Sequence, residues 1–388
     1  MTPFAFQTAG RVRFGRGVAS QAVPEARARG DRVLIVHGRS TARAAPVLAG
    51  LKGAILLPCP AEPTLDMLDE ALPVARAAGV EVVLGIGGGA VLDLAKALAA
   101  LVPAPGQAMR YLEVVGEGQA LDAAPLPFIA VPTTAGTGAE VTRNAVIGVP
   151  GHRRKVSLRD DRMLADLALV DPALADGTPR AVTLASGLDA VTQVIEPYLS
   201  CRANPVTDAL CAAMIPRGFA ALRRLMETED AAARDDMALV SLTGGMALTN
   251  AGLGAVHGLA GVIGGVTGAA HGAICGALLP HVLSLNETVC RTLGQDTHRF
   301  EQIRTWIGGG YAEMADWAHG AGLPCLSDLG VTPDNVPEIA RAASMSSSMK
   351  GNPAPLSPPQ LETVLRSALG GQGHSAGGLP ACGGRTSA

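Results

Sequence analysis

Asp236 and Glu287 bracket a stretch, residues 237–286, that contains no Asp, Glu, Lys or Arg. Such a run cannot sit on a solvated surface; it has to turn inward, into a protein core or a bilayer. A bilayer span needs about 20 predominantly apolar residues. Here Asn250, His257, His271 and several Ser and Thr interrupt the run, and Gly is dense. The pattern predicts buried helices lining a cleft, with no membrane partner.

The rest of the chain has to supply the polar shell and the other elements. At roughly 100–200 residues per domain, 388 residues make two domains or three. With 48% hydrophobic residues, 17% charged and a net charge of −3, neither a nucleic-acid binder nor a disordered chain is expected. Cysteines stand at 59, 201, 211, 275, 290, 325 and 382, an odd number without a CxxC pair. That predicts free thiols in a reducing, cytoplasmic setting. The N-terminus lacks a basic segment followed by an apolar one, so no signal peptide is read there.

Residues 4–16 alternate like short strands. Short apolar runs at 32–36, 54–57, 81–85 and 127–131 suit buried parallel strands. Helical patterns occupy 40–51, 64–78 and 90–101 between them. This alternation predicts a doubly wound parallel sheet. From about Thr178 Ala/Leu-rich helical texture takes over. The expected organisation is an α/β nucleotide-binding domain at 1–177, an all-α domain at 178–369, and a Gly-rich disordered tail at 370–388.

Two stretches carry chemistry. In 81–96 a strand runs into Gly87, Gly88 and Gly89 and then a helix holding Asp93 and Lys96, one of only four lysines. Glycines admit close approach of a ligand, and a helix start offers free N–H groups to an anion. The alternative is an ordinary βα turn, and neither GxGxxG nor a P-loop is present. A second loop, 132–142, is rich in Thr and Gly. Further on, Asp189 and Gln193 lie one helical turn apart, with Glu196 three residues beyond. On one straight helix His257 and His271 would be about 21 Å apart. Gly264, Gly265 and Gly268 offer places to reverse the chain, which would bring both imidazoles to one point. Two buried histidines bonded to backbone carbonyls are the alternative.

With these residues in place the chain resembles the iron-containing (group III) alcohol dehydrogenase family. GGGAxxDxAK at 87–96, PTTAGTGAEVT at 132–142, LVDP at 169–172, SGLDA at 186–190, HG at 257–258 and 271–272, and LLPHV at 278–282 follow in the family's order over nearly the whole chain. The resemblance implies the dehydroquinate synthase-like fold, an NAD(P) cofactor in the cleft, a divalent metal (Fe²⁺ first, Zn²⁺ second) and a homodimer or higher homo-oligomer. It places the cofactor on Gly38, Gly87, Gly88, Gly89, Ala90, Asp93, Thr133, Thr134, Thr137, Asn144 and Lys155. It places the metal on Asp189, Gln193, His257 and His271.

Two positions depart from the family's pattern. Gln193 stands where the pattern has histidine, and a Gln oxygen is a harder and weaker ligand than imidazole. Gly261 stands where a further histidine is common, so no side chain is named as general acid; a proton would leave through water or ribose hydroxyls. The implied reaction is hydride transfer between a nicotinamide and a small alcohol or aldehyde. The rivals are a metal-independent, maleylacetate-reductase-like enzyme, a dehydroquinate-synthase-like lyase, and a silent homologue. After the first strand, His37-Gly38-Arg39-Ser40 carries no carboxylate, which predicts that NADPH is accepted at least as well as NADH.

Overall fold

A computed structural model describes residues 3–370. The expected tail, apart from Gly370, lies outside the described residues. The chain divides into two compact units: Met1–Thr178 with Glu229–Asn250, and Pro179–Thr228 with the residues from Ala251 onward.

In the first unit the elements are β1 (Val12–Phe14), α1 (Ala22–Arg27), β2 (Val33–Gly38), α2 (Ala45–Gly50), β3 (Ile55–Cys59), α3 (Leu65–Ala77), β4 (Val82–Gly87), α4 (Gly89–Leu101), β5 (Phe128–Pro132), β6 (Asn144–Val149), β7 (Arg154–Arg159) and β8 (Leu167–Val170). Six strands form one all-parallel sheet in the order β1-β8-β5-β4-β2-β3. Side chains alternate between its faces. Leu34, Val36, Val83, Phe128, Ala130 and Val170 pack under α3 and α4. Val33, Ile35, Val82, Leu84, Ile86, Ile129 and Val131 pack with Ala22 and Ala26 of α1 and Val47 of α2. Burial on both faces explains why these strands read as unbroken apolar runs. From β2 the chain moves to β3 on one side, then returns to β4 on the other. The carboxyl ends of β2 and β4 therefore flank a topological switch point, where open α/β sheets bind ligands.

Two expectations need correcting here, and one element was not foreseen. Of residues 4–16 only Val12–Phe14 is strand. The helix read at 40–51 is confined to Ala45–Gly50. The antiparallel hairpin β6-β7 was not read from the sequence at all; its strands pair from Asn144↔Arg159 to Val149↔Arg154.

The second unit is helical: α5 (Arg180–Leu199), α6 (Pro205–Glu227), α8 (Ala255–Thr267), α9 (His271–Thr292), α10 (His298–Ile307), α11 (Tyr311–Gly320), α12 (Val336–Ser344) and α13 (Pro358–Ala368). The helix before α8, α7 (Ala231–Ala251), belongs almost wholly to the first unit, so one boundary near 178 does not describe the chain. The cause is local packing. Ala238 and Leu242 of α7 join the core under α3 and α4, and a Cβ on Gly245 would lie 2.4 Å from the Gly138 carbonyl. The charge-free stretch thus forms most of α7, all of α8 and most of α9. By length and composition α9 could cross a membrane, but 72% of its apolar window is buried inside the protein.

Candidate active site

The glycine turn after β4 meets the loop after β5 at the carboxyl edge of the sheet. The Thr133 N–H donates to the Gly87 carbonyl at 2.9 Å. Gly88 caps α4 without any side-chain cap, which leaves the first-turn N–H groups of the helix for a ligand. A Cβ on Gly88 would stand 3.2 Å from Thr134 Oγ1, and one on Gly89 2.7 Å from Thr137 Oγ1. The two loops therefore make one narrow cradle of backbone and hydroxyls, as a pyrophosphate requires. Gly38 ends β2 beside it, with its Cβ position 3.9 Å from Val91 of α4.

Not every residue of the implied cofactor set converges on this turn. Asp93 accepts a hydrogen bond from the Val146 N–H at 3.1 Å and so reaches the hairpin. Asn144 and Lys155 sit towards opposite ends of that hairpin, and Lys155 is paired with Glu62. Lys96 has a structural task. It is 1% exposed, and its Nζ donates to Thr142 Oγ1 and the Asn144 carbonyl, both at 2.8 Å.

In the second unit three helices meet at one point. Asp189 and Gln193 come from the buried half of α5, His257 from the first turn of α8, and His271 opens α9. The chain reverses at Gly268, whose φ of 71° is a left-handed helix cap, and not at Gly264 or Gly265, which stay helical. This turn brings the two imidazole centroids to 5.3 Å. Gly272 completes the approach: a Cβ there would lie 2.3 Å from the Ala185 carbonyl, so α9 starts directly against α5.

His257 Nε2 lies 3.3 Å from Asp189 Oδ1, and His271 Nε2 lies 3.8 Å from the same oxygen. Glu196 holds His257 from behind. Its Oε2 is 2.6 Å from Nδ1, and its Oε1 accepts the Val256 N–H at 2.7 Å. A proton on Nδ1 leaves the Nε2 lone pair directed into the cluster. Asp189 Oδ1, Gln193 Oε1 and His257 Nε2 are all buried without a hydrogen-bond partner. Unpartnered buried acceptors are costly, so three in one place call for a cation. Ligands about 2.0–2.3 Å from a metal at tetrahedral angles stand about 3.3–3.8 Å apart, which the measured spacings match.

The electrostatics agree. Burial opposes charge on Asp189, but the flanking imidazoles outweigh it and hold the carboxyl below its ordinary range. Burial also opposes charge on the histidines; Cys275 and Asp189 beside them prevail, raising His257 well above its usual value and His271 to about 9. The cluster is built to stabilise positive charge. Cys275 is a member the sequence reading missed. Its Sγ is 3.6 Å from His271 Nε2, and the donor atoms of Asp189, His257, His271 and Cys275 all lie within 4.8 Å of one another. The signal was its place one turn after His271 on α9.

A glycine-turn α/β unit together with a helical unit carrying a carboxylate–imidazole cluster is the architecture of a class of alcohol oxidoreductases. A crystal structure of a 1,3-propanediol oxidoreductase matches 95% of this chain and 100% of its own, with a TM-score of 0.83 and 28% identity. The model for "Iron-containing alcohol dehydrogenase" matches residues 9–172, and that for "Fe-containing alcohol dehydrogenase family, C-terminal" matches residues 183–369. The chain belongs to the iron-containing alcohol dehydrogenase family. It is 33% identical to the lactaldehyde reductase of Escherichia coli (strain K12), over 88% of this chain and 93% of that protein. It is 36% identical to long-chain-alcohol dehydrogenase 1 of Geobacillus thermodenitrificans, over 69% of this chain and 65% of that one.

Proposed function

We propose that the chain is an NAD(P)-dependent, metal-assisted alcohol dehydrogenase or aldehyde reductase acting on small alcohols and their carbonyl counterparts. The observation that carries this is the convergence of three unpartnered buried acceptors, Asp189 Oδ1, Gln193 Oε1 and His257 Nε2. When bound, a divalent cation supplies Lewis acidity to the substrate oxygen and the nicotinamide supplies hydride acceptance or donation. Asp189, His257 and His271 are the principal ligands in this reading, with Gln193 as a weak carbonyl ligand. Glu196 keeps the His257 lone pair aimed at the site. The cofactor's phosphates fit the N–H groups that follow Gly88, with Gly38, Gly87, Gly89, Ala90, Thr133, Thr134 and Thr137 around them; Asp93, Asn144 and Lys155 belong to the same assignment. Gly261 offers no side chain to relay a proton, and its Cβ position faces open space, which suits a water or a substrate carbon.

The same reading includes a homodimer or higher homo-oligomer. β1 is an edge strand with Phe14 exposed, and Phe4 and Phe6 just before it are exposed too. A reducing cytoplasmic setting is supported by the six described cysteines, which are all free and five of which are buried. The test is a screen of aldehydes with NADH and NADPH, with metal analysis of the same preparation. Turnover should vanish on chelation and return with added divalent metal. Turnover that survives complete metal removal would establish the metal-independent alternative.

A further inference from the structure

We propose that Cys275 is a direct ligand of the metal, its thiolate serving as the strong fourth donor where Gln193 offers only an amide oxygen; this rests on the metal reading above. Cys275 follows His271 by one helical turn, so both side chains leave the same face of α9. Cys275 is buried, and its Sγ and the donor atoms of Asp189, His257 and His271 all lie within 4.8 Å of one another. The 3.6 Å spacing to His271 Nε2 falls in the range that shared tetrahedral ligation requires. The independent pointer is the pair of buried atoms without a hydrogen-bond partner, Asp189 Oδ1 and His257 Nε2, on residues of the same close cluster as the thiol.

The chemistry balances without an oxidant. On metal uptake the Cys275 S–H bond breaks, the sulfur lone pair binds the cation, and the proton leaves to solvent. The protein then contributes two negative ligands, Asp189 and Cys275, which offset the charge of a divalent ion. A soft thiolate among two imidazoles and one carboxylate favours Zn²⁺ over Fe²⁺, through both softness and the general affinity order of these ions. This chain's site is thereby distinguished from one in which a histidine at 193 supplies the fourth donor.

Co²⁺ loaded into the metal-free full chain reads out the ligand directly. The parent should show intense near-ultraviolet thiolate-to-cobalt charge transfer, and Cys275→Ser should lose that band while keeping weaker cobalt d–d absorption. Zn²⁺ affinity of Cys275→Ser should fall by at least the roughly 10–100-fold that removing a group behind a ligand costs. X-ray absorption on the Zn²⁺-loaded parent needs no variant, and should find one sulfur at about 2.3 Å beside nitrogen and oxygen at about 2.0–2.2 Å. Stoichiometric metal with no sulfur in its shell overturns the thiolate assignment and leaves the Asp189, His257 and His271 reading intact. Metal that neither the parent nor Asp189→Ala retains overturns both.

Discussion

At the scale of single residues, the site depends on atoms that have no other task. Among the described residues Asp189 is the one carboxylate within 4 Å of both imidazoles, at 3.3 and 3.8 Å. Its removal should cost more metal affinity than removal of Gln193, because a buried negative charge offsets the cation where a neutral oxygen does not. Dialysis against a mild chelator, followed by metal analysis of Asp189→Ala and Gln193→Ala, should show near-complete loss in the first and partial loss in the second. Gln193→His should hold Fe²⁺ more tightly than the parent. In the cradle, Gly88→Val forces a side chain toward Thr134 and over the helix start. It should abolish nicotinamide cofactor binding in a calorimetric titration while leaving the circular dichroism unchanged. In the proposed reading, cofactor choice falls to the residues after β2. Arg39 and Ser40 are exposed after β2, and the Arg39 guanidinium donates a hydrogen bond to the Pro60 carbonyl at 3.3 Å. Steady-state kinetics should give NADPH a kcat/KM at least equal to that of NADH.

Among elements, the decisive contact is α9 against α5. Gly272 permits it, and an alanine there would drive its Cβ into the Ala185 carbonyl. Gly272→Ala should destabilise the fold by about 1–3 kcal/mol, the usual range for overpacking. Because the helix ends must separate, it should also carry His271 away from Asp189 and weaken Zn²⁺ binding at least tenfold by competition with a chromogenic chelator. Unfolding curves and metal titrations on the same variant separate the two effects. The sequence announced a helical second half and the one-turn spacing of Asp189 and Gln193, without the bounds of α5 or α9. It left open which glycine reversed the chain, since Gly264, Gly265 and Gly268 are equally permissive in a one-dimensional reading. Only Gly268 takes the left-handed conformation.

At the scale of the whole molecule, two buried ionisable groups of the first unit shape how stability responds to pH. Burial pulls the Lys96 ammonium down to about 8, against the pull of Asp93 and Glu140, and pushes the Glu140 carboxyl up to about 7. Glu140 therefore binds its proton more tightly folded than unfolded, so its contribution is present below pH 4.5 and is lost as pH rises to about 7. Lys96 acts in the opposite sense: the unfolded chain holds more protons between about 8 and 10.5, so stability grows across that window. Urea unfolding across pH should show the upper rise vanish in Lys96→Met and the lower fall vanish in Glu140→Gln. The sequence by itself determined the parallel sheet, the helical half and the glycine turn, because periodicity and apolar runs record how many faces of an element are buried. It also marked Asp189 and Gln193 by their helical spacing and His257 and His271 as histidines of a charge-free stretch, and the family resemblance joined the four as candidate ligands. Tertiary structure alone decided that α7 packs with the first unit and that Lys96 supports the hairpin from the interior; the one-turn spacing of Cys275 from His271 was legible, and packing decided that this face of α9 meets Asp189 and His257. Each of those is a contact between residues far apart along the chain or on helices whose facing is unknown until they pack, and no local pattern encodes it.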